Sequence, residues 1–251
     1  TIFDNLTNVE VLDAEGADGD TVSLDSNTPF TTIDFDDANS QVLNLNDGYT
    51  QATTVSIDAD AGDTINNNAN VDLTLNAWSG AIGTSLDVTG STGKNDVANI
   101  TVITDAQTNT FDADNDAFET ININPFTAGA DATLITGAYA LGATGGNLTI
   151  NAGGSDALSV MTITGTASLT PLDITTGPAA DIIALGTKAD TVSSGAGNDQ
   201  ITTLGGANII DAGDGVDTIV MGASIDNISA GAGNDIITSA ANLANTDVVD
   251  G

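Results

Sequence analysis

The 251-residue chain contains no cysteine, no histidine and no arginine, and its two basic residues are Lys94 and Lys188. Without thiols there is no disulfide framework and no thiolate chemistry; this leaves export open and says only that the fold is not stapled. Without imidazole, the usual zinc sites, catalytic triads and general bases are missing. Nothing here can neutralise a row of phosphates, so nucleic acid and anionic membrane surfaces are excluded as partners. Aromatic residues make up only 4 % and proline occurs four times. No apolar run approaches the roughly 18 residues of a membrane span, so the chain is not membrane-spanning. Opening at Thr1 with no leader-like segment, it reads as a processed or excerpted chain.

What the chain has in excess is acid. It carries 35 acidic residues for a net charge of −33, and all but Glu10, Glu15 and Glu119 are aspartate. With two lysines, almost no carboxylate can find an ionic partner within the chain. Self-repulsion on this scale opposes compaction unless cations neutralise it. An apolar content of 40 % is nonetheless enough for a buried core at this length. The choice of aspartate over glutamate carries information of its own: a short carboxylate suits tight turns and close metal ligation. The acidic surface of a salt-adapted protein is the alternative explanation of the charge, and it is disfavoured because it predicts no periodicity.

Thr, Asn, Asp, Gly, Val and Ile dominate, a strand-and-turn composition. Short alternating segments, among them Thr21 to Ser26, Thr31 to Asp36, Gln41 to Asn46, Thr54 to Asp58, Val71 to Asn76, Glu119 to Asn124, Asn147 to Asn151 and Met161 to Gly165, read as half-buried strands. A sandwich and a solenoid both accommodate such strands, and irregular spacing with one theme favours irregular solenoid rungs. Residues 1–125 read as a β-rich solenoid-like region and 126–170 as its continuation, with a break at Pro125.

From 171 to 251 the spacing becomes regular. Asp181, Asp190, Asp199, Asn208, Asp217, Asp226 and Asp235 follow one another at intervals of nine. Two residues after each stands a β-branched residue: Ile183, Val192, Ile201, Ile210, Ile219, Ile228 and Ile237. A glycine stands four residues before each, except at Leu204. Such a unit alternates a glycine turn with a short strand whose one β-branched residue points inward. Two units make one flattened coil of 18 residues, and stacked coils lie roughly 4.8 Å apart, so turns 18 residues apart share an edge.

The stretches "SSGAGNDQI", "DAGDGVDTI" and "SAGAGNDII" resemble the RTX nonapeptide G-G-x-G-x-D-x-U-x. That resemblance implies a right-handed parallel β-roll binding Ca²⁺ through backbone carbonyls of the glycine turns and aspartates of two stacked turns. Oxygen ligands of this kind suit calcium, which takes 6 to 8 of them at about 2.3 to 2.6 Å. The fold expected is therefore all-β, a β-roll preceded by an irregular solenoid. Three turns of one edge keep both glycines, which makes Gly195, Gly197, Asp199, Gly213, Gly215, Asp217, Gly231, Gly233 and Asp235 the metal candidates, joined by Asp181. The ions are expected between Asp199 and Asp217 and between Asp217 and Asp235, with a weaker site at Asp181 and Asp199. The other edge, with Asp190, Asn208 and Asp226, never has both glycines and is the poorer binder; the Lys188 ammonium could there stand in for an ion. On either edge the alternative is that the Asx side chains merely cap turns. Two acidic clusters, Asp58 to Asp63 and Asp112 to Asp116, open like EF-hand loops but have Ala69 and Ile123 at the twelfth position, so they read as solvated turns.

Calcium that binds only the folded roll stabilises it by mass action. Folding outside the cell, where calcium is millimolar, follows, and the resemblance adds type I secretion. An enzyme is not expected, since the zinc motifs and basic substrate grips of RTX-bearing enzymes are absent. The segments Leu6 to Ala17 and Ala117 to Asn124 leading into nonapeptides are similar to the calcium-dependent surface-layer (S-layer) proteins of Gram-negative bacteria. A secreted, non-catalytic subunit of a surface lattice or fibre, partnered by copies of itself and with cell-surface polysaccharide as a further candidate, is the expected function. The alternative is a binding module of a large adhesin contacting carbohydrate, a cell surface or ice.

Overall fold

The computed structural model describes residues 11–13, 21–25, 30–35, 42–46, 49–51, 53–58, 64–67, 72–79, 87–89, 96–102, 109–112, 119–125, 131–135, 147–154, 157–239 and 248–251. Among them there is no helix, and every strand pairing is parallel. Strands alternate between faces. One sheet has twelve strands, from Val11–Asp13 to Val248–Asp250. Facing it are a four-stranded sheet, from Thr21–Leu24 to Asp87–Thr89, and a seven-stranded sheet, from Asn109–Asp112 to Ile236–Ser239. Each coil contributes one strand to each face, which is a parallel β-solenoid.

The strand register measures how much chain each coil uses. Val11 pairs with Thr32, Thr32 with Thr54, Thr54 with Thr74, Thr74 with Val97, Val97 with Thr120 and Thr120 with Thr149, steps of 21, 22, 20, 23, 23 and 29 residues. Asp173 then pairs with Thr191, Thr191 with Ile209 and Ile209 with Asn227, each step being 18. The opposite sheet makes the same change, from Thr162 pairing Ile182 to Ile182 pairing Gln200 and Gln200 pairing Thr218. Longer coils leave room for longer strands, such as Leu73–Ser79, whereas the 18-residue coils hold strands of three or four residues such as Gln200–Thr202 and Thr218–Met221. Pro125 closes the strand Thr120–Pro125 and pairs with Val102 on one side, while pairing toward the next coil stops at Asn122. The first sheet continues through positions 125 and 170 in unbroken strand order.

Alternation puts one column of apolar residues inside each sheet. Ile33, Val55, Ile121, Ile150, Ile174, Val192, Ile210 and Ile228 are buried from one side, and Ile163, Ile183, Ile201 and Ile219 from the other. Burying each such side chain contributes about 1.5 to 3 kcal/mol, and β-branched residues suit the pleated surface. The outer face carries polar ladders. Asn122 donates through Nδ2 to Asn99 Oδ1 at 2.8 Å, and Asn151 to Asn122 Oδ1 at 2.9 Å.

Candidate calcium-binding edge

Between strands of the 18-residue coils the chain turns in five or six residues, and on the first edge the geometry of those turns is set by glycine. Gly213 has φ +91°, and a Cβ there would lie 1.9 Å from the carbonyl oxygen of Gly195. At Gly215 a Cβ would lie 1.5 Å from the carbonyl oxygen of Gly197. Any side chain at these positions therefore collides with the turn one coil earlier. With glycine in place the turns stack as a ladder. Gly197 N–H donates to Asp214 O at 2.8 Å and Asp214 N–H to Gly195 O at 3.0 Å; Gly215 N–H and Ala232 N–H repeat the pattern with Ala232 O and Gly213 O, each at 2.8 Å.

The Asx residue closing each turn is buried rather than solvated. Asp181, Asp199 and Asp217 on one edge and Asp190, Asn208 and Asp226 on the other are at most 2 % exposed. Asp235, in the last described turn of the first edge, is half-buried. Their side chains cap backbone N–H groups one coil away. Asp199 Oδ1 accepts from Asp181 N–H at 2.8 Å, Asp217 Oδ1 from Asp199 N–H at 2.8 Å and Asp235 Oδ1 from Asp217 N–H at 3.0 Å. On the second edge, Asn208 Oδ1 accepts from Asp190 N–H at 2.9 Å and Asp226 Oδ1 from Asn208 N–H at 3.0 Å. In Asp181, Asp199 and Asp217 it is Oδ1 that is used in this way.

That second oxygen is the chemically informative one. In Asp181, Asp190, Asp199 and Asp217, Oδ2 is buried and accepts no hydrogen bond among the described residues. A buried charged oxygen without a partner costs more than the roughly 1 to 3 kcal/mol of a neutral one. Burial accordingly pushes the carboxyls of Asp181 and Asp217 above the usual carboxylate range and those of Asp190 and Asp199 to about 6. The backbone N–H donors oppose this, as do the Thr176 hydroxyl at Asp181 and the Ser194 hydroxyl at Asp199, where the charges of Asp181 and Asp217 add to the rise. Beside these carboxylates, the carbonyls of Gly197 and Gly215 accept no hydrogen bond among the described residues. No group of three or more acidic side chains is close enough to hold a metal among the described residues, so carbonyls would have to supply most ligands. Hard carbonyl and carboxylate oxygens in a glycine cradle fit calcium and suit neither zinc nor copper.

The structure brings Gly195, Gly197, Asp199, Gly213, Gly215, Asp217, Gly231, Gly233 and Asp235 onto one edge in consecutive coils, with Asp181 one coil earlier. On the second edge Lys188 forms no ion pair among the described residues; an amide, from Asn208, sits among the acceptors instead, donating to Gly205 O, Gly206 O and Asp226 Oδ1. Sequence reasoning also passed over hydroxyls that run the ladder inside the turns, Thr176 Oγ1 to Ser194 O at 3.0 Å and Ser194 Oγ to Ala212 O at 2.9 Å. The one-coil cap recurs outside the nonapeptides, from Asp96 N–H to Glu119 Oε2 at 2.7 Å and from Val160 N–H to Asp131 Oδ1 at 2.9 Å, where only the alternation of acid and strand could have signalled it. Of the EF-hand-like clusters, Asp60, Asp63, Asp114 and Asp116 lie outside the described residues.

A parallel β-solenoid with stacked glycine turns closed by buried aspartates is a calcium-binding repeat architecture. Residues 175–210, 185–219 and 211–241 match the family of the RTX calcium-binding nonapeptide repeat (4 copies). This part of the chain thus carries calcium-binding motifs, in a β-roll of the kind typical of non-enzymatic structural modules; RTX repeat proteins are typically secreted. Neither the curated proteins nor the solved structures include a match to the chain. No helix of the described residues is long and apolar enough to cross a membrane.

Proposed function

We propose that this is a secreted, non-catalytic structural protein, a subunit of a calcium-dependent surface layer or fibre, whose roll folds on calcium outside the cell and whose folded form assembles with copies of itself. The observation that carries the calcium part is the pairing, on one edge, of buried Oδ2 atoms of Asp181, Asp199 and Asp217 with the carbonyls of Gly197 and Gly215, none of which has a hydrogen-bond partner among the described residues. Ions between these turns would be held by both sets of oxygens and would supply the positive charge that the chain lacks. They would neutralise the stacked carboxylates and pin consecutive coils together. Below the ion's dissociation constant the same carboxylates repel one another, so the roll is a calcium-gated fold.

The assembly part is supported by the shape and surface of the solenoid. Its sheets expose apolar side chains, Ile182 and Ile236 on one face and Ile209 and Val248 on the other, each between 42 and 57 % exposed. Exposed apolar groups on a sheet face favour contact with another copy, and calcium can bridge the surplus surface carboxylates between copies. Electron microscopy of the purified chain with millimolar calcium and with EGTA tests this. Sheets or filaments that disappear on chelation support it, and a monodisperse monomer in calcium refutes it. That second outcome would turn attention to the binding-module reading, for which the aligned Thr32, Thr54 and Thr74, and again Thr120 and Thr149, offer a regular hydroxyl face.

A further inference from the structure

The two edges of the roll solve the same electrostatic problem in different ways. On the first edge the Gly197 carbonyl accepts no hydrogen bond among the described residues. The equivalent carbonyl on the second edge, two residues before the Asx position, belongs to Gly206. It accepts from Asn208 Nδ2 at 3.3 Å. The same nitrogen donates to Gly205 O at 3.1 Å and, across the gap to the next coil, to Asp226 Oδ1 at 3.0 Å. The neighbours fix the orientation of this amide: its nitrogen faces three acceptors, while its oxygen accepts the Asp190 N–H at 2.9 Å.

Two carbonyls and a carboxylate converging from consecutive turns are the donor set a calcium ion would use. Here they converge on a nitrogen. We propose that the Asn208 amide takes, from within the chain, the place that calcium takes on the first edge, so that the second edge is closed at this layer without metal. Gly206, with φ +83° and room for no Cβ beside Lys188 O, lets its turn pack against the coil before it, as Gly197 and Gly215 do opposite. The layer is therefore a latent calcium site plugged by an amide, and position 208 decides between amide and ion. Calcium would thus stitch one side of the roll, while on the other side this layer is held by the hydrogen bonds of an amide already in the chain.

This inference rests on the calcium reading of the first edge, and the experiment separates the two. Calcium binding is counted by equilibrium dialysis on the full chain, on N208D and on N208A, with urea unfolding followed in saturating calcium. N208D restores a carboxylate facing Gly205 O, Gly206 O and Asp226, and the expectation is one more ion per chain than in the wild type, with a urea midpoint recovered by calcium. N208A has neither amide nor carboxylate; it is expected to bind the wild-type number and to unfold at a lower urea concentration that calcium does not restore. An N208D chain that binds no additional ion, or that remains as unstable in calcium as N208A, overturns the proposal. A wild type that binds no calcium alongside an N208D that binds one would overturn the first-edge reading and leave this one standing.

Discussion

Replacing Asp217 by Asn separates the two duties of the first-edge aspartates. The amide oxygen keeps the bond that Oδ1 receives from Asp199 N–H, now 2.8 Å. Its nitrogen can turn to the Gly215 carbonyl, as Asn208 does toward Gly206. What is lost is a buried charge and the Oδ2 that lies between two gaps of the edge. In EGTA the substitution removes a desolvated carboxylate whose pKa burial has raised, so the variant should be as stable as the wild type or more so. In calcium it should lose binding in the gaps toward both Asp199 and Asp235. A site saturated a thousandfold above its dissociation constant is worth about 4 kcal/mol. At about 2 to 4 °C per kcal/mol for a chain of this size, each lost site lowers the melting midpoint by roughly 8 to 16 °C. Thermal melts followed by circular dichroism, in millimolar calcium and in EGTA, read the difference. Equal destabilisation in both conditions would show that Asp217 is only a cap and holds no calcium.

Three further outcomes follow from the same geometry. Gly215→Ala should cost several kcal/mol and abolish calcium uptake, because its Cβ would lie 1.5 Å from Gly197 O, whereas Gly153→Ala, whose Cβ would meet the Thr175 methyl at 3.1 Å and Thr176 O at 3.6 Å, should cost less than about 1 kcal/mol; urea unfolding compares the two. In EGTA the roll should become more stable on acidification: Asp190 and Asp199 have folded pKa values near 6, above the ordinary 3.8, so their contribution is fully present below about 3.8 and is lost as pH rises through about 6. Melts from pH 7 down to pH 4 should show the midpoint rising, and a falling midpoint would contradict the burial of these groups. Ile219→Ala, at a fully buried position, should cost about 2 to 5 kcal/mol in calcium and in EGTA alike, since it acts on the core and not on the edge.

The sequence makes the nonapeptide region legible because two independent marks coincide. The Asx residue at intervals of nine gives the turn, and the β-branched residue two positions later gives the strand. Together they yield the 18-residue coil that the register from Asp173 to Asn227 shows. Before Asp173 the coil length varies, from the 20-residue step at Thr54 to the 29-residue step at Thr120. Period analysis fails there, although alternation still located strands such as Thr32–Phe35 and Val42–Leu45. The edge asymmetry was legible in the missing glycines, but its cause was not. Lys188 drew attention because it is a cation, whereas the group that meets the carbonyls is the neutral amide of Asn208. Nor could spacing reveal that each carboxylate caps a backbone N–H of the previous coil, since such a bond joins residues 18 apart.

If calcium on the first edge completes the fold, titrating calcium into the EGTA-treated chain should make the folding visible. Far-ultraviolet circular dichroism should show β signal rising with calcium to saturation, and the D199N/D217N double variant should fail to respond over the same range. A wild-type spectrum that does not change with calcium, or a double variant that responds as the wild type does, would contradict the account.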